Sequence, residues 1–86
     1  MSQKDEDRAI AKTCRAAMAR SSLDISELNI ICTGGYVELQ GKVRAPRGGA
    51  GTINVKREFD QLIIVARSVR GVKDCRGERV QLIEAH

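Results

Sequence analysis

Glycines and basic residues are concentrated in the segment from Arg44 to Thr52, RAPRGGAGT, which precedes a predicted helix. Backbone amides of a glycine loop and of a helix N-terminus can bind phosphate oxygens, and basic side chains nearby neutralise the charge. This pattern predicts a candidate anion site, which Glu58 and Asp60 weaken because they offset the helix dipole. The members of the candidate anion site are Arg44, Arg47, Gly48, Gly49, Gly51, Lys56 and Arg57.

Two specific phosphate-binding motifs do not fit this segment. Residues 48–51 match the GxxG pattern of KH domains, which clamp single-stranded nucleic acid, but a KH loop joins two helices and this one follows a predicted strand. A Walker A loop does not fit because no Gly-Lys-Ser or Gly-Lys-Thr follows the glycines. The segment is most simply a flexible connection, with a lipid or phosphate contact and a nucleic-acid contact as the alternatives.

Residues suited to catalysis or metal binding are dispersed along the chain. His86 is the only histidine and the last residue, and the carboxylates are scattered through polar positions. The cysteines, Cys14, Cys32 and Cys75, lack any CxxC spacing, and each stands where the pattern requires an apolar residue. We therefore expect a protein that is not an enzyme and that carries no cofactor and no metal.

The charge balance permits an anionic partner without selecting one. Fifteen basic and eleven acidic residues give a net charge of +4, which attracts nucleic acid, anionic lipid or an acidic protein patch. Arg8, Lys12 and Arg15 form a basic stripe on the first predicted helix, most simply a solvated face and alternatively a binding face. Tyr36 and Phe59 are the only aromatic residues, a poor supply for stacking bases, so nucleic acid is the less favoured partner.

Hydrophobic periodicity divides the chain into two helices and three strands. Ser2 or Asp5 can cap the first helix, and Thr52 or Asn54 can cap the second. The pattern predicts a helix over 5–21, strands over 27–33 and 36–44, a loop over 45–53, a helix over 54–70 and a strand over 72–83, with a polar connection over 24–27. The first helix is predicted to bury Ile10, Thr13, Cys14, Ala17 and Met18, and the second Val55, Phe59, Leu62, Ile63, Ala66 and Val69.

The last predicted strand changes its alternation near Gly77. Cys75 and Val80 both fit core positions, yet they are five positions apart, and strict alternation would place them on opposite faces, so one residue must be inserted between them. Glycine is frequent at such irregularities, and the slip predicts a β-bulge or a local break.

The order of elements is α-β-β-α-β, which predicts an α+β domain over residues 1–86. A three-stranded mixed sheet with both helices packed on one face would bury every amphipathic face described above. The second strand, second helix and third strand are expected to form a right-handed crossover.

Two glycine-containing motifs resemble those of the BON domain, the module named for bacterial osmotically inducible and nodulation proteins. The first is Leu28-x-Ile30-x-Cys32-x-x-Gly35-x-Val37-x-Leu39-x-Gly41-x-Val43, and the second is Ser68-Val69-Arg70-Gly71-Val72 at the end of the second helix. The chain departs from the family in three ways: a long connection before the second helix, the shift at Gly77, and no signal peptide at its start.

The resemblance implies a small basic binding module without catalytic residues, in which Gly35, Gly41 and Gly71 are structural. BON domains are associated with phospholipid membranes, envelope integrity and osmotic stress, and some with potassium sensing. We therefore expect an anionic lipid surface, a partner protein, or potassium or a small ligand to bind, with nucleic acid as the alternative. Without a signal peptide, a membrane span or a disulfide framework, the expected location is the cytoplasm, or the envelope if a longer precursor exists.

Overall fold

The computed structural model describes residues 3–46 and 54–84. Two helices and three strands occur in the order α-β-β-α-β, which confirms the α+β fold class. The elements are α1 (Gln3–Met18), β1 (Leu28–Thr33), β2 (Tyr36–Arg44), α2 (Val55–Arg67) and β3 (Asp74–Ile83).

The sheet has the strand order β1-β2-β3 and is mixed. β1 and β2 form an antiparallel hairpin in which Leu28 pairs with Gly41 and Thr33 with Tyr36. β3 runs parallel to β2, as expected for strands joined through a helix. The register between them shifts once, because Glu38 pairs with Arg76 whereas Gln40 pairs with Arg79. Gly77 and Glu78 therefore both lie opposite Leu39, which confirms the predicted bulge.

Gly77 also allows α2 to approach the sheet closely. A Cβ atom at this position would lie 2.6 Å from the Cζ atom of Phe59 and 3.2 Å from the Cδ1 atom of Ile63. These distances are shorter than van der Waals contact, so only glycine leaves room for the Phe59 ring. The same residue thus lies in the bulge and beneath the buried face of α2.

The core lies between the helices and the inner face of the sheet. Both cysteines at its centre, Cys14 and Cys75, are inaccessible to solvent. Leu23 and Ile25 are buried as well, and Ile25 lies within residues 24–27, the predicted polar connection. They are held there because Asp24 and Arg44 exchange two backbone hydrogen bonds, of 3.0 and 3.1 Å, beside the hairpin.

The helix boundaries agree with some of the predicted caps and not with others. The Asn54 side chain accepts a hydrogen bond from the backbone N–H of Arg57 at 3.1 Å, so Asn54 is the N-cap of α2; Thr52 lies outside the described residues. α1 begins at Gln3, which places Asp5 in its first turn and makes Asp5 as N-cap wrong. Thr13 is exposed, so its predicted place in the core is wrong; its hydroxyl donates to the carbonyl of Ala9 in the same helix.

Glycines with positive φ form the hairpin turn and a close backbone contact beside the hairpin. Gly34 and Gly35 form the turn, with φ of 60° and 89°. Gly41 has a φ of 104° within β2, and an added Cβ would overlap the carbonyl oxygen of Glu27. At that point β2 lies directly against the chain entering β1, since the Lys42 N–H donates to the same carbonyl at 3.2 Å.

Replacing Gly41 with alanine is expected to lower the free energy of unfolding by about 3 kcal/mol or more, because backbone strain and a backbone clash add together. Gly34→Ala is the matched control, since Gly34 also has positive φ but open space around it. The control should cost only about 1 kcal/mol, the usual price of the left-handed conformation. Urea unfolding of both variants measures the difference, and equal losses would contradict the role of the Glu27 contact.

Candidate functional site

The outer face of the sheet, opposite the helices, carries a groove near the hairpin end. Tyr36 and Ile31 are the large apolar side chains there, and they are 60% and 44% exposed. The groove has a volume of about 440 Å³ and is referred to below as the sheet-face groove. Its principal lining residues are Ile31, Thr33, Tyr36, Glu38, Arg76 and Arg79. All three strands contribute, so the pairing of the sheet positions these side chains.

Charges of both signs lie side by side in the sheet-face groove. Glu38 accepts a hydrogen bond from the Gln40 amide at 2.8 Å, and the Nε atom of Arg79 lies 3.6 Å from the same carboxylate oxygen. Glu78 lies beside them at the bulge. Arg76 and Arg79 remain largely exposed, so these contacts leave most of their donors available to a ligand.

Tyr36 stands at the end of the sheet-face groove beside Lys73. The Nζ atom of Lys73 lies 5.7 Å from the centroid of the Tyr36 ring, within the range of a cation–π contact. The backbone N–H of Lys73 donates to the carbonyl of Gly35 at 2.8 Å, which joins the hairpin turn to the segment before β3. Tyr36 is therefore an exposed aromatic side chain on a well-anchored turn.

Asp74 connects the end of α2 to the start of β3. Its Oδ1 atom accepts from the backbone N–H of Cys75 at 2.8 Å and lies 3.2 Å from the Nε atom of Arg67, while Oδ2 lies 3.8 Å from Arg76. The hydrogen bond from Cys75, together with the two arginines, holds the pKa of the Asp74 carboxyl below its usual range. Asp74 therefore stays ionised and contacts both Arg67 and Arg76.

Only part of the candidate anion site falls in the described structure. Arg47, Gly48, Gly49 and Gly51 lie outside the described residues, so the glycine segment itself is not placed. Two described members already pair with carboxylates at 2.7 Å: Arg44 with Glu27 and Lys56 with Asp60.

The amide groups at the start of α2 are also partly used. The N–H of Arg57 donates to the Asn54 cap, whereas the Arg57 side chain is exposed. An anion at this helix terminus would have to compete with the cap and with the neighbouring carboxylates.

Arg8, Lys12 and Arg15, the basic stripe on α1, are all exposed, and Arg15 also makes structural contacts. Arg15 turns towards the chain that enters β1, where its guanidinium donates to the carbonyl of Ile25 at 3.4 Å and to the carbonyl of Leu28. Arg15 therefore ties α1 to that chain, a contact that periodicity alone did not reveal.

The three cysteines come from α1, β1 and β3 and share the inner face of the sheet. Cys32 and Cys75 are both register partners of Val37. Burial raises the pKa of the Cys75 thiol to about 11, and it also raises the pKa of Cys14 and of Cys32, whose Sγ atom donates to Asp7 at 3.4 Å. Thiols of raised pKa are poor nucleophiles at neutral pH. Within residues 3–46 and 54–84, no group of three potential ligands could hold a metal ion.

Comparison with protein-family models, with curated proteins and with solved structures found no match to this chain. No helix in the described part of the chain is long and apolar enough to cross a membrane.

Stability should fall at alkaline pH through Cys75. The unfolded thiol ionises near its ordinary pKa of 9.0, whereas the folded thiol stays protonated to about 11, so the unfolded state binds fewer protons between these values. Folding stability is then lost as pH rises through this window, by about 2–3 kcal/mol in total.

The measurement is urea unfolding at pH 8, 9, 10 and 11 for the wild type and Cys75→Ala, which should have a smaller slope above pH 9. Part of the slope remains, because the pKa values of Cys14 and Cys32 are raised as well. Val37→Ala is the matched control: it shortens a neighbouring buried side chain without removing a titrating group, so it should lower stability and keep the slope. A wild-type slope in Cys75→Ala would overturn the assignment.

Proposed function

We propose that this chain is a non-enzymatic binding module of the BON type that binds a partner protein through the sheet-face groove. The observation that carries the proposal is an exposed aromatic and an exposed aliphatic side chain, Tyr36 and Ile31, set among arginines on a face opposite the helices. Tyrosine and arginine are the residue types enriched at protein interfaces and at their energetic centres.

The charge pattern favours a protein over a polyanion as the partner. Arg76 and Arg79 are accompanied by Glu38, Asp74 and Glu78, so the lining holds more carboxylates than guanidinium groups. A phosphate backbone or an anionic lipid surface would meet repulsion from these carboxylates, whereas a protein can present a matching charge to each one.

The element order and the glycine positions support the BON-type part of the proposal. The chain follows the order α-β-β-α-β, and Gly35 and Gly71, at the hairpin and after α2, both have positive φ. An added Cβ at Gly35 would lie 2.8 Å from the carbonyl oxygen of Gly71, so the two motifs meet where the glycines approach. A side chain at Gly35 would separate the hairpin turn from the end of α2, and one at Gly71 would meet Ile10 of α1 at 3.0 Å.

Site-specific photo-crosslinking tests the proposed surface. A benzophenone amino acid placed at Tyr36 should give one defined protein adduct in cell extract, because this ring would be covered by the partner. The same amino acid at Ile64, which is 53% exposed on α2, is the control position and should not give that adduct.

The partner identified from the adduct is then purified. Calorimetry measures its affinity for the wild-type chain and for the variants Arg79→Glu and Arg57→Glu. Arg79→Glu should weaken its binding by at least about tenfold, the size expected for reversing one interfacial charge, while Arg57→Glu, the same change on exposed α2, should leave it unaltered. Equal affinity of the two variants for the partner would show that the sheet-face groove is not the binding surface. Co-sedimentation with vesicles is the test for a lipid partner. If the chain sediments with anionic but not with neutral vesicles, and Arg79→Glu does not change this, the partner is a lipid surface and not a protein.

A further inference from the structure

A second groove lies between α2 and the outer edge of β3. Among the described residues β3 pairs with β2 alone, so its other edge has no strand beside it. The groove has a volume of about 580 Å³ and is referred to below as the edge groove. Phe59, Ile63, Val80 and Leu82 supply its apolar lining, and all but Phe59 are only half-buried.

The backbone of Val80 and Leu82 faces the open edge. The Ile83 carbonyl accepts from the Ala45 N–H at 3.0 Å, so the polar groups of Ile83 point to the β2 side. Because successive residues of a strand alternate in direction, those of Val80 and Leu82 point away from β2. Their side chains lie on the inner face, in the edge groove. The edge therefore offers hydrogen-bonding groups and apolar side chains at the same two residues.

An extended peptide is the ligand that can use both features at once. A strand added to a sheet edge gains main-chain hydrogen bonds, and its alternate side chains enter the pockets beside that edge. Here those pockets lie over Ile63 on the helix side and Val80 and Leu82 on the strand side.

The edge is closed at the beginning of β3. The Cys75 N–H donates to Asp74 at 2.8 Å, and the Cys75 carbonyl accepts from the Nη2 atom of Arg67 at 3.2 Å. An added strand cannot displace these groups without breaking both bonds, so it must stop before Cys75.

The closed end offers two guanidinium groups to an anionic terminus. Arg67 and Arg76 share Asp74, at 3.2 and 3.8 Å, so these three side chains carry one net positive charge, while the groove lining as a whole, with Lys56, Asp60 and Glu78, is neutral. A free α-carboxylate on the peptide would complete the balance with charge-assisted hydrogen bonds.

We propose that the edge groove binds the extended C-terminal segment of a partner protein. The segment runs antiparallel to β3, places alternate apolar side chains over Val80 and Leu82, and directs its α-carboxylate to Arg67 and Arg76. About five residues fill the distance from Leu82 to Gly77 at roughly 3.4 Å per residue. The edge groove shares Asp74, Arg76 and Glu78 with the sheet-face groove, but its apolar lining is separate, so this inference does not depend on the proposed function.

A second copy of the chain suits this edge less well than a peptide. Because each Cys75 is covered by its own Arg67 and Asp74, two β3 strands could pair only through the residues after the bulge. Such a short contact buries less surface than a stable dimer requires.

Selection from a random hexapeptide library displayed with free C-termini identifies a test ligand. The same library displayed with its C-termini fused to the carrier is the control. Enrichment of sequences with apolar residues at alternate positions is expected from the free-terminus library alone. No enrichment, or equal enrichment from both libraries, would overturn the proposal.

An enriched hexapeptide is then synthesised as the free acid and as the C-terminal amide. Calorimetry should show at least about tenfold weaker binding of the amide, because charge-assisted hydrogen bonds are lost. Peptides with one N-methylated backbone amide each are then compared. Methylation of every second amide should abolish binding, and methylation of the amides between them should have no effect. Equal affinity of acid and amide, or an N-methyl effect without a two-residue period, would exclude the antiparallel strand addition.

The location is tested with Arg76→Gln and its matched control Arg79→Gln, an arginine of the same strand that lines the sheet-face groove but not the edge groove. Arg76→Gln should reduce the preference for acid over amide, and Arg79→Gln should keep it. Amide resonances of Ile63, Val80 and Leu82 should shift on titration with the peptide. Resonance shifts confined to Ile31 and Tyr36 would place the peptide in the sheet-face groove. Broadening of the β3 resonances by dimerisation without peptide would show that a second copy of the chain binds this edge.

Discussion

The bulge opposite Leu39 is the constraint on which the other contacts of this fold depend. Upstream of it, Cys75 lies on the inner face of β3; if the alternation continued, Arg79 and Gln81 would follow it into the core. The insertion of one residue turns Val80 and Leu82 inward and leaves Arg79 outside. Gly77 allows this geometry while also making room for Phe59. That single shift determines the hydrophobic layer, the position of Arg79 in the sheet-face groove and the half-buried floor of the edge groove.

Periodicity predicted the elements well because the apolar residues repeat with few exceptions. The bulge was also predictable, since Cys75 and Val80 could not both face inward without it. Burial of Leu23 and Ile25 was not, because a short segment without regular period gives no sign that Asp24 pairs with Arg44. Thr13 shares the helical arc of Cys14, yet its hydroxyl is satisfied within α1 at the surface, so position on the arc overstated its burial.

The candidate sites were harder to predict than the fold because they join residues distant in sequence. The glycine and arginine segment drew attention through composition, but the pairing of Arg44 with Glu27 spans 17 residues and has no local signature. Similarly, Arg15 fits a solvated stripe until the chain entering β1 brings the carbonyls of Ile25 and Leu28 to it. Net charge predicts attraction to anions, whereas local pairing decides which basic side chains remain open to them.

The sheet-face groove and the edge groove meet at Asp74, Arg76 and Glu78, which line both. Asp74 contacts both Arg67 and Arg76, so a ligand that draws Arg76 away changes the charge that Arg67 experiences. Exposed pairs of this kind are individually weak, which makes them easy to rearrange on binding. Two partners at the two grooves would therefore share one carboxylate, and each would alter the affinity of the other by the same factor.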